Sequence, residues 1–174
     1  MLPSLTLVLG GAASGKSAYA EGLVRRASTR RLYLATAEAY DDEMRAQIAQ
    51  HRAARSKDGW TTIEAPLDPA PALGAAQADQ AILLDCATLW LSNHMLAGSD
   101  LAEAEAALLQ ALDACAAPVV AVSNEVGLSV VPDNALARRF QRAQGGLNQR
   151  LAARAGLVVL ITAGLPSVLK GALP

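Results

Sequence analysis

The residues Gly10-Gly11-Ala12-Ala13-Ser14-Gly15-Lys16-Ser17 fit the pattern G-x-x-x-x-G-K-[ST], and their chemistry is that of holding a phosphate chain. Small residues allow the turn that points successive backbone N–H groups inward at an anion, where larger side chains would obstruct it. Lys16 would set an ammonium against the β- and γ-phosphates, and Ser17 would offer a hydroxyl to Mg²⁺. The apolar run Leu5-Thr6-Leu7-Val8-Leu9 precedes the loop and a helical stretch, Ala18 to Ala27, follows it. That strand-loop-helix setting gives the same anion the positive end of a helix dipole. The loop by itself serves a nucleotide switch as well as an enzyme.

A second set lies between Asp41 and Arg55, where Asp41-Asp42-Glu43 caps a helix that Ser56-Lys57-Asp58-Gly59 closes. On that helix Met44, Ile48, His51, Arg52 and Arg55 share one side, with Glu43 and Gln47 at its edge. A neutral imidazole can attack phosphorus while neighbouring guanidinium groups stabilise charge on phosphate oxygens, so His51 suits phosphoryl or nucleotidyl transfer. From the residue types alone the plainer reading, a solvated surface histidine among arginines, is preferred. His94, among Leu91, Asn93 and Met95 on an apolar helix, reads as structural.

Two further groups end strand-like runs. Ala81-Ile82-Leu83-Leu84-Asp85 reads as a Walker B strand whose Asp85 holds Mg²⁺. Pro118 to Val122 runs into Ser123-Asn124-Glu125-Val126-Gly127, where Asn124 and Glu125 either orient phosphate and substrate or satisfy their own loop backbone.

The elements that must position these groups alternate short β-like runs with helical patterns, which is the signature of an α/β fold with a mostly parallel sheet covered by helices. Further strands are expected at Arg31 to Thr36, Trp60 to Glu64 and Leu157 to Thr162. A short helix is expected after Pro66, Pro69 and Pro71. Cys86 to Ala97 and Leu101 to Ala116 read as helices around a Gly98-Ser99-Asp100 break. A long helix from Asn134 to Ala155 presents Phe140, Ala143, Leu147 and Leu151 on one face, and its Gly145-Gly146 predicts close packing or a kink. Gly164 to Pro174 shows no pattern.

At 174 residues, 52% hydrophobic and 18% charged, the chain suits one well-buried domain, residues 1–174. A net charge of −1 with scattered arginines argues against a nucleic-acid partner. Cys86 and Cys115, in apolar surroundings without C-x-x-C spacing, read as free thiols in a reducing compartment and not as metal ligands. The first strand begins within a few residues of Met1 and no apolar run reaches membrane-spanning length, so a cytoplasmic protein without membrane insertion is expected.

Taken in order, the loop, Asp41 to Met44 with His51-Arg52, Trp60 to Glu64, Ile82 to Cys86, Ser123 to Gly127 with Val131 to Asn134, and Asn148 to Ala152 resemble the bifunctional adenosylcobinamide kinase/adenosylcobinamide-phosphate guanylyltransferases over nearly the whole chain. The resemblance implies a RecA-like P-loop fold, a homo-oligomer such as a trimer, and two reactions. ATP or GTP would first phosphorylate adenosylcobinamide; GTP would then give GMP to adenosylcobinamide phosphate through a guanylylated histidine, leaving adenosylcobinamide-GDP and pyrophosphate. The histidine motif falls on His51. Ala35, Thr36, Ala37, Arg52, Ala53, Ala54, Arg55, Glu64 and Asp85 match stretches that contact the guanine nucleotide. The chain departs from the family pattern at Ala13, where some members carry Arg, between Arg52 and Trp60, which is one residue longer than in some members, and from Leu165 onward.

Other classes fit less of the sequence. A nucleotide switch would need an Asn-Lys-x-Asp stretch and a D-x-x-G turn, neither of which stands in a suitable place. A simple small-molecule kinase explains the loop and Asp85 but no covalent nucleotide, and a non-catalytic nucleotide-binding module leaves Asn124 and Glu125 without a task.

Overall fold

The computed structural model describes residues 1–38 and 58–174. His51, Arg52, Ala53, Ala54 and Arg55, and the helix expected around them, lie outside the described residues.

The apolar runs form strands because both their faces are covered. β1 (Leu5–Gly10) is buried at every position. Its side chains alternate: Leu5, Leu7 and Leu9 enter one core, while Val8 enters the other. Beside it the sheet holds β2 (Arg30–Ala35), β3 (Trp60–Glu64), β4 (Gln80–Asp85), β5 (Val119–Asn124), β6 (Leu157–Thr162) and β7 (Leu165–Lys170), in the order β3-β2-β4-β5-β1-β6-β7. Neighbours from β3 through β6 run parallel, and β7 pairs antiparallel with β6. One strand, β5, thus separates the loop-bearing β1 from the Asp85-bearing β4.

Helix α1 (Lys16–Ala27) covers one face with Ala20, Leu23 and Val24. On the other face lie α3 (Ala87–Ala97), α4 (Leu101–Ala114) and α5 (Ala135–Arg154), which bring Trp90, Leu91, Leu108, Leu109, Leu112, Leu147 and Leu151 into the larger core. Their ends follow local chemistry. Asp100 and Asn134 cap α4 and α5 through side-chain oxygens, and Gly98 ends α3 in the left-handed region at φ 70°.

Several expected boundaries change. Helix α2 (Ala70–Ala75) begins between the prolines and not after them: Pro69 is its N-cap and Pro71 sits in the first turn, where a missing N–H costs nothing. Ser123 and Asn124 belong to β5, paired with Leu9 and Gly10, and are not loop residues. Residues 165–170, expected as a patternless tail, form β7. The hairpin turn is Ala163-Gly164, with φ 52° and 79°, the conformation for which Asn-Gly is the familiar signal. Alanine in the first position hid it. Helix α5 runs without a break through Gly145 and Gly146; a Cβ on Gly146 would meet Arg150 Nη2 at 3.0 Å, so that glycine makes room for the guanidinium that pairs with Glu105 of α4.

Candidate active site

Strand register assembles the site. At the carboxyl ends, Glu64, Ala35, Asp85 and Val122 are successive partners across β3, β2, β4 and β5. Asn124, two residues beyond Val122, pairs with Gly10, which also pairs with Ile161. Two residues of strand rise about 7 Å, and two strand spacings cover about 10 Å. The loop and Asp85 therefore stand at the same end of the sheet with one strand between them.

The loop is held by contacts that specify small residues. A Cβ on Gly10 would come within 2.4 Å of Ser14 Oγ and 2.9 Å of Ile161 O. Gly15, the N-cap of α1, has φ 90°, and the β6–β7 turn presses on it: Gly164 N donates to Ser14 O at 2.9 Å. No side chain caps α1 and its first turn carries no acidic residue, so nothing on the helix competes with an anion for its N-terminal amides. Lys16 Nζ donates to Gly11 O at 3.0 Å, arching over the loop. Ser17 lies in the first turn of α1 behind it.

Asp85 Oδ2 accepts a hydrogen bond from Tyr33 Oη at 2.8 Å. The next residue is tied down by Thr36, whose Oγ1 accepts from Cys86 N at 2.7 Å and donates to Cys86 O at 2.8 Å. Thr36 N also donates to Asp85 O at 3.1 Å. Thr36, matched to a nucleotide-contacting stretch, is thus fully buried and serves to fix the Asp85–Cys86 segment; Ala35 is buried, Ala37 half-buried and Glu64 exposed. Burial pushes the Cys86 thiol above its ordinary value of 9.0, so it stays protonated and inert.

Asn124 and Glu125 stand beside the loop, since Glu125 N donates to Gly10 O at 3.1 Å. Glu125 Oε1 accepts from Gly127 N at 3.1 Å, the local satisfaction that its loop position allows. Asn124 Oδ1 and Ser14 Oγ are buried without a hydrogen-bond partner among the described residues, leaving polar atoms unspent on either side of Gly10. A cleft of about 740 Å³ opens here, lined by Gly11 to Ser14, Glu125, Val126, Leu128, Ser129 and Leu160 to Ala163.

Several supporting contacts escaped the sequence reading. Ser123 Oγ donates to Asn148 Oδ1 at 2.6 Å, Gln144 Nε2 donates to Ser123 Oγ at 2.9 Å, and Asn148 Nδ2 donates to Asn124 O at 3.0 Å. Thr88 Oγ1 accepts from Asn124 N at 2.8 Å. Polar residues at 144 and 148, inside the apolar stripe of α5, were the available signal.

As candidate donors for Mg²⁺, Asp85 and Ser17 would supply one carboxylate and one hydroxyl. That hard, sparse set suits an ion that keeps several waters and takes its remaining oxygens from phosphates. Among the described residues no group of three or more His, Cys, Asp or Glu is placed to hold a metal, and Cys86 and Cys115 are free thiols.

The chain is similar to known proteins over most of its length. A family model described as cobinamide kinase / cobinamide phosphate guanyltransferase matches residues 6–169. The bifunctional adenosylcobalamin biosynthesis protein CobP of Pseudomonas aeruginosa is 44% identical over 95% of this chain and 96% of its own. The bifunctional adenosylcobalamin biosynthesis protein CobU of Salmonella typhimurium is 41% identical, covering 92% and 97%. Among solved structures, a prototypical ATPase from the type III secretion system of pathogenic bacteria superimposes with a TM-score of 0.54 at 9% identity, over 94% of this chain and 56% of that one, a likeness of fold alone.

Proposed function

The chain belongs to the cobinamide kinase / cobinamide phosphate guanyltransferase family, and from that premise we propose that one triphosphate site, built on the Gly10–Ser17 loop, serves both of its reactions. The protein is a bifunctional enzyme of adenosylcobalamin biosynthesis, acting as kinase and guanylyltransferase. The observation that carries the site assignment is the register that lines up Gly10, Asn124, Asp85, Ala35 and Glu64 at one end of the sheet.

In the kinase step the loop amides and Lys16 hold the triphosphate. The side-chain hydroxyl of adenosylcobinamide attacks the γ-phosphorus, a P–O bond forms, the bond to the β,γ-bridging oxygen breaks, and the nucleoside diphosphate leaves. Glu125, beside the loop, takes the hydroxyl proton. Ser17 and Asp85 would hold Mg²⁺, which when bound would supply charge neutralisation for the phosphate oxygens. The acceptor enters from the cleft beside Glu125. ATP or GTP serves as donor.

In the second step a neutral nitrogen of His51 attacks the α-phosphorus of GTP and pyrophosphate leaves. The phosphate of adenosylcobinamide phosphate then attacks that phosphorus, breaking the P–N bond and giving adenosylcobinamide-GDP. Two displacements replace one encounter between two anions. Arg52 and Arg55 stabilise the phosphate charge, with the guanine nucleotide lying across Ala35 to Ala37 and Glu64. No helix among the described residues is long and apolar enough to cross a membrane; we assign the enzyme to the cytoplasm by likeness to the family. We assign the working form to a homo-oligomer, a trimer by likeness to the family.

The test is product analysis. Adenosylcobinamide with ATP and Mg²⁺ is expected to yield adenosylcobinamide phosphate, and addition of GTP the GDP derivative with one pyrophosphate per turnover. Lys16→Ala is expected to lose both steps; a kinase step surviving that change would remove the loop from its assigned role.

A further inference from the structure

Helix α3 grips main-chain carbonyls outside itself with Trp90, Asn93 and His94, side chains spaced three and four apart on one side of the helix. Asn93 is only 5% exposed, and its amide donates two hydrogen bonds, to Thr36 O at 2.8 Å and to Pro66 O at 3.0 Å. Trp90 Nε1 donates to Leu67 O at 2.8 Å, and His94 Nε2 meets the same oxygen at 2.9 Å. A carbonyl only accepts, so Nε2 carries the proton. The two rings pack edge to face with centroids 4.6 Å apart.

Those carbonyls are not scattered. Thr36 leads out of β2, and Pro66 and Leu67 lead out of β3. Beyond the last ladder partners the two strands are joined by the bond from Ala65 N to Ala35 O at 2.8 Å. A buried amide that bridges both exits sets the distance between Ala35–Ala37 on one side and Glu64 on the other. Asn93 suits the task because one planar NH₂ offers two hydrogens in fixed directions. Asp there would turn acceptor oxygens toward two carbonyls, and Ala would leave both carbonyls without that donor. The ties of Thr36 to Asp85 and Cys86 do not run through Asn93.

We propose that Asn93 is a positioning residue for the guanine nucleotide, presetting the spacing between the exits of β2 and β3 for a ligand that lies across both. The inference rests on the reading that the nucleotide of the guanylyl step contacts Ala35 to Ala37 and Glu64. A ligand held only at β1 and Asp85 does not sense this spacing, so the ATP-dependent kinase step is the internal control.

The experiment is steady-state kinetics of both steps in Asn93→Ala and Glu64→Gln, with thermal unfolding alongside. For Asn93→Ala the KM for GTP in guanylyl transfer should rise roughly tenfold, the equivalent of one or two lost hydrogen bonds, while kcat/KM of the kinase step with ATP stays within about twofold. A parallel fall of both activities marks a merely structural residue and overturns the inference. So does an unchanged KM in Asn93→Ala while Glu64→Gln raises it. An unchanged KM in Glu64→Gln overturns the reading beneath and the inference with it. If Asn93→Ala is recovered unfolded, Asn93→Ser, which keeps one donor, carries the test with an expected rise of roughly threefold.

Discussion

Tyr33 Oη donates a hydrogen bond to Asp85 Oδ2 at 2.8 Å, from the neighbouring parallel strand. The phenol is 6% exposed and packs edge-on against Trp60 at 6.1 Å between centroids, so its hydroxyl cannot wander. It fixes one carboxylate oxygen and so aims the other. Tyr33→Phe is expected to raise the Mg²⁺ concentration for half-maximal kinase activity several-fold, with unfolding free energy lowered by no more than about 1.5 kcal/mol. Asp85→Asn should cost at least about a hundredfold in kcat. An unchanged Mg²⁺ dependence in Tyr33→Phe would mean that Asp85 needs no such support.

Gly10 is the tightest point of the loop, with Ile161 O as a main-chain obstacle to any side chain. Gly10→Ala should leave the protein folded but displace the loop, weakening ATP and GTP binding together by about tenfold or more in calorimetric titration. Loss of one nucleotide without the other would point to two separate triphosphate sites.

Much of this was legible in the residues. The loop, the Asp85 strand and the alternation of strands and helices follow from local pattern, because fully covered parallel strands read as apolar runs and a phosphate loop needs small residues in sequence. What pattern did not carry is tertiary. Nothing local says that β5 lies between β1 and β4, which is what brings Asn124 and Glu125 to Gly10. Asn93 and Thr36, 57 positions apart, are ordinary polar residues until the fold brings them into contact. β7 was missed because its turn is Ala163-Gly164 and its side chains are exposed, which removes the alternation a half-buried strand shows. The nucleotide-contact assignments for Ala35 to Ala37 and Glu64, and the role of His51, come from family resemblance and not from spacing.

Asn148 links α5 to the end of β5 through Ser123 and the Asn124 carbonyl, all within a buried polar cluster that includes Gln144. Asn148→Leu leaves the Ser123 hydroxyl and Asn124 carbonyl short of partners, and should lower unfolding free energy by about 2–3 kcal/mol in urea. A cost below about 0.5 kcal/mol would show that the cluster does not hold the strand end.

Cys86 gives a pH signature. Burial, with a smaller push from Asp85, raises its folded-state value above 9.0. Below pH 9 both folded and unfolded chains keep the proton and the stabilisation is fully present; as pH rises beyond 9 the unfolded chain ionises first, and stability falls until the folded value is passed. Cys86→Ser, which keeps a capping oxygen but does not ionise in that range, should flatten the decline of the melting temperature between pH 8 and about pH 10.5. An identical slope in both proteins would place the alkaline sensitivity elsewhere, with Cys115, also raised by burial, as the next residue to replace.

The most direct measurement is incubation with GTP labelled in the α-phosphate, in the absence of corrinoid. The account predicts label on the protein that is labile to acid and stable to base, absent in His51→Ala and in Lys16→Ala, and discharged onto adenosylcobinamide phosphate when that is added. A folded wild-type protein that takes no label, or a His51→Ala protein that takes it fully, would contradict the covalent nucleotide on which the two-step reaction depends.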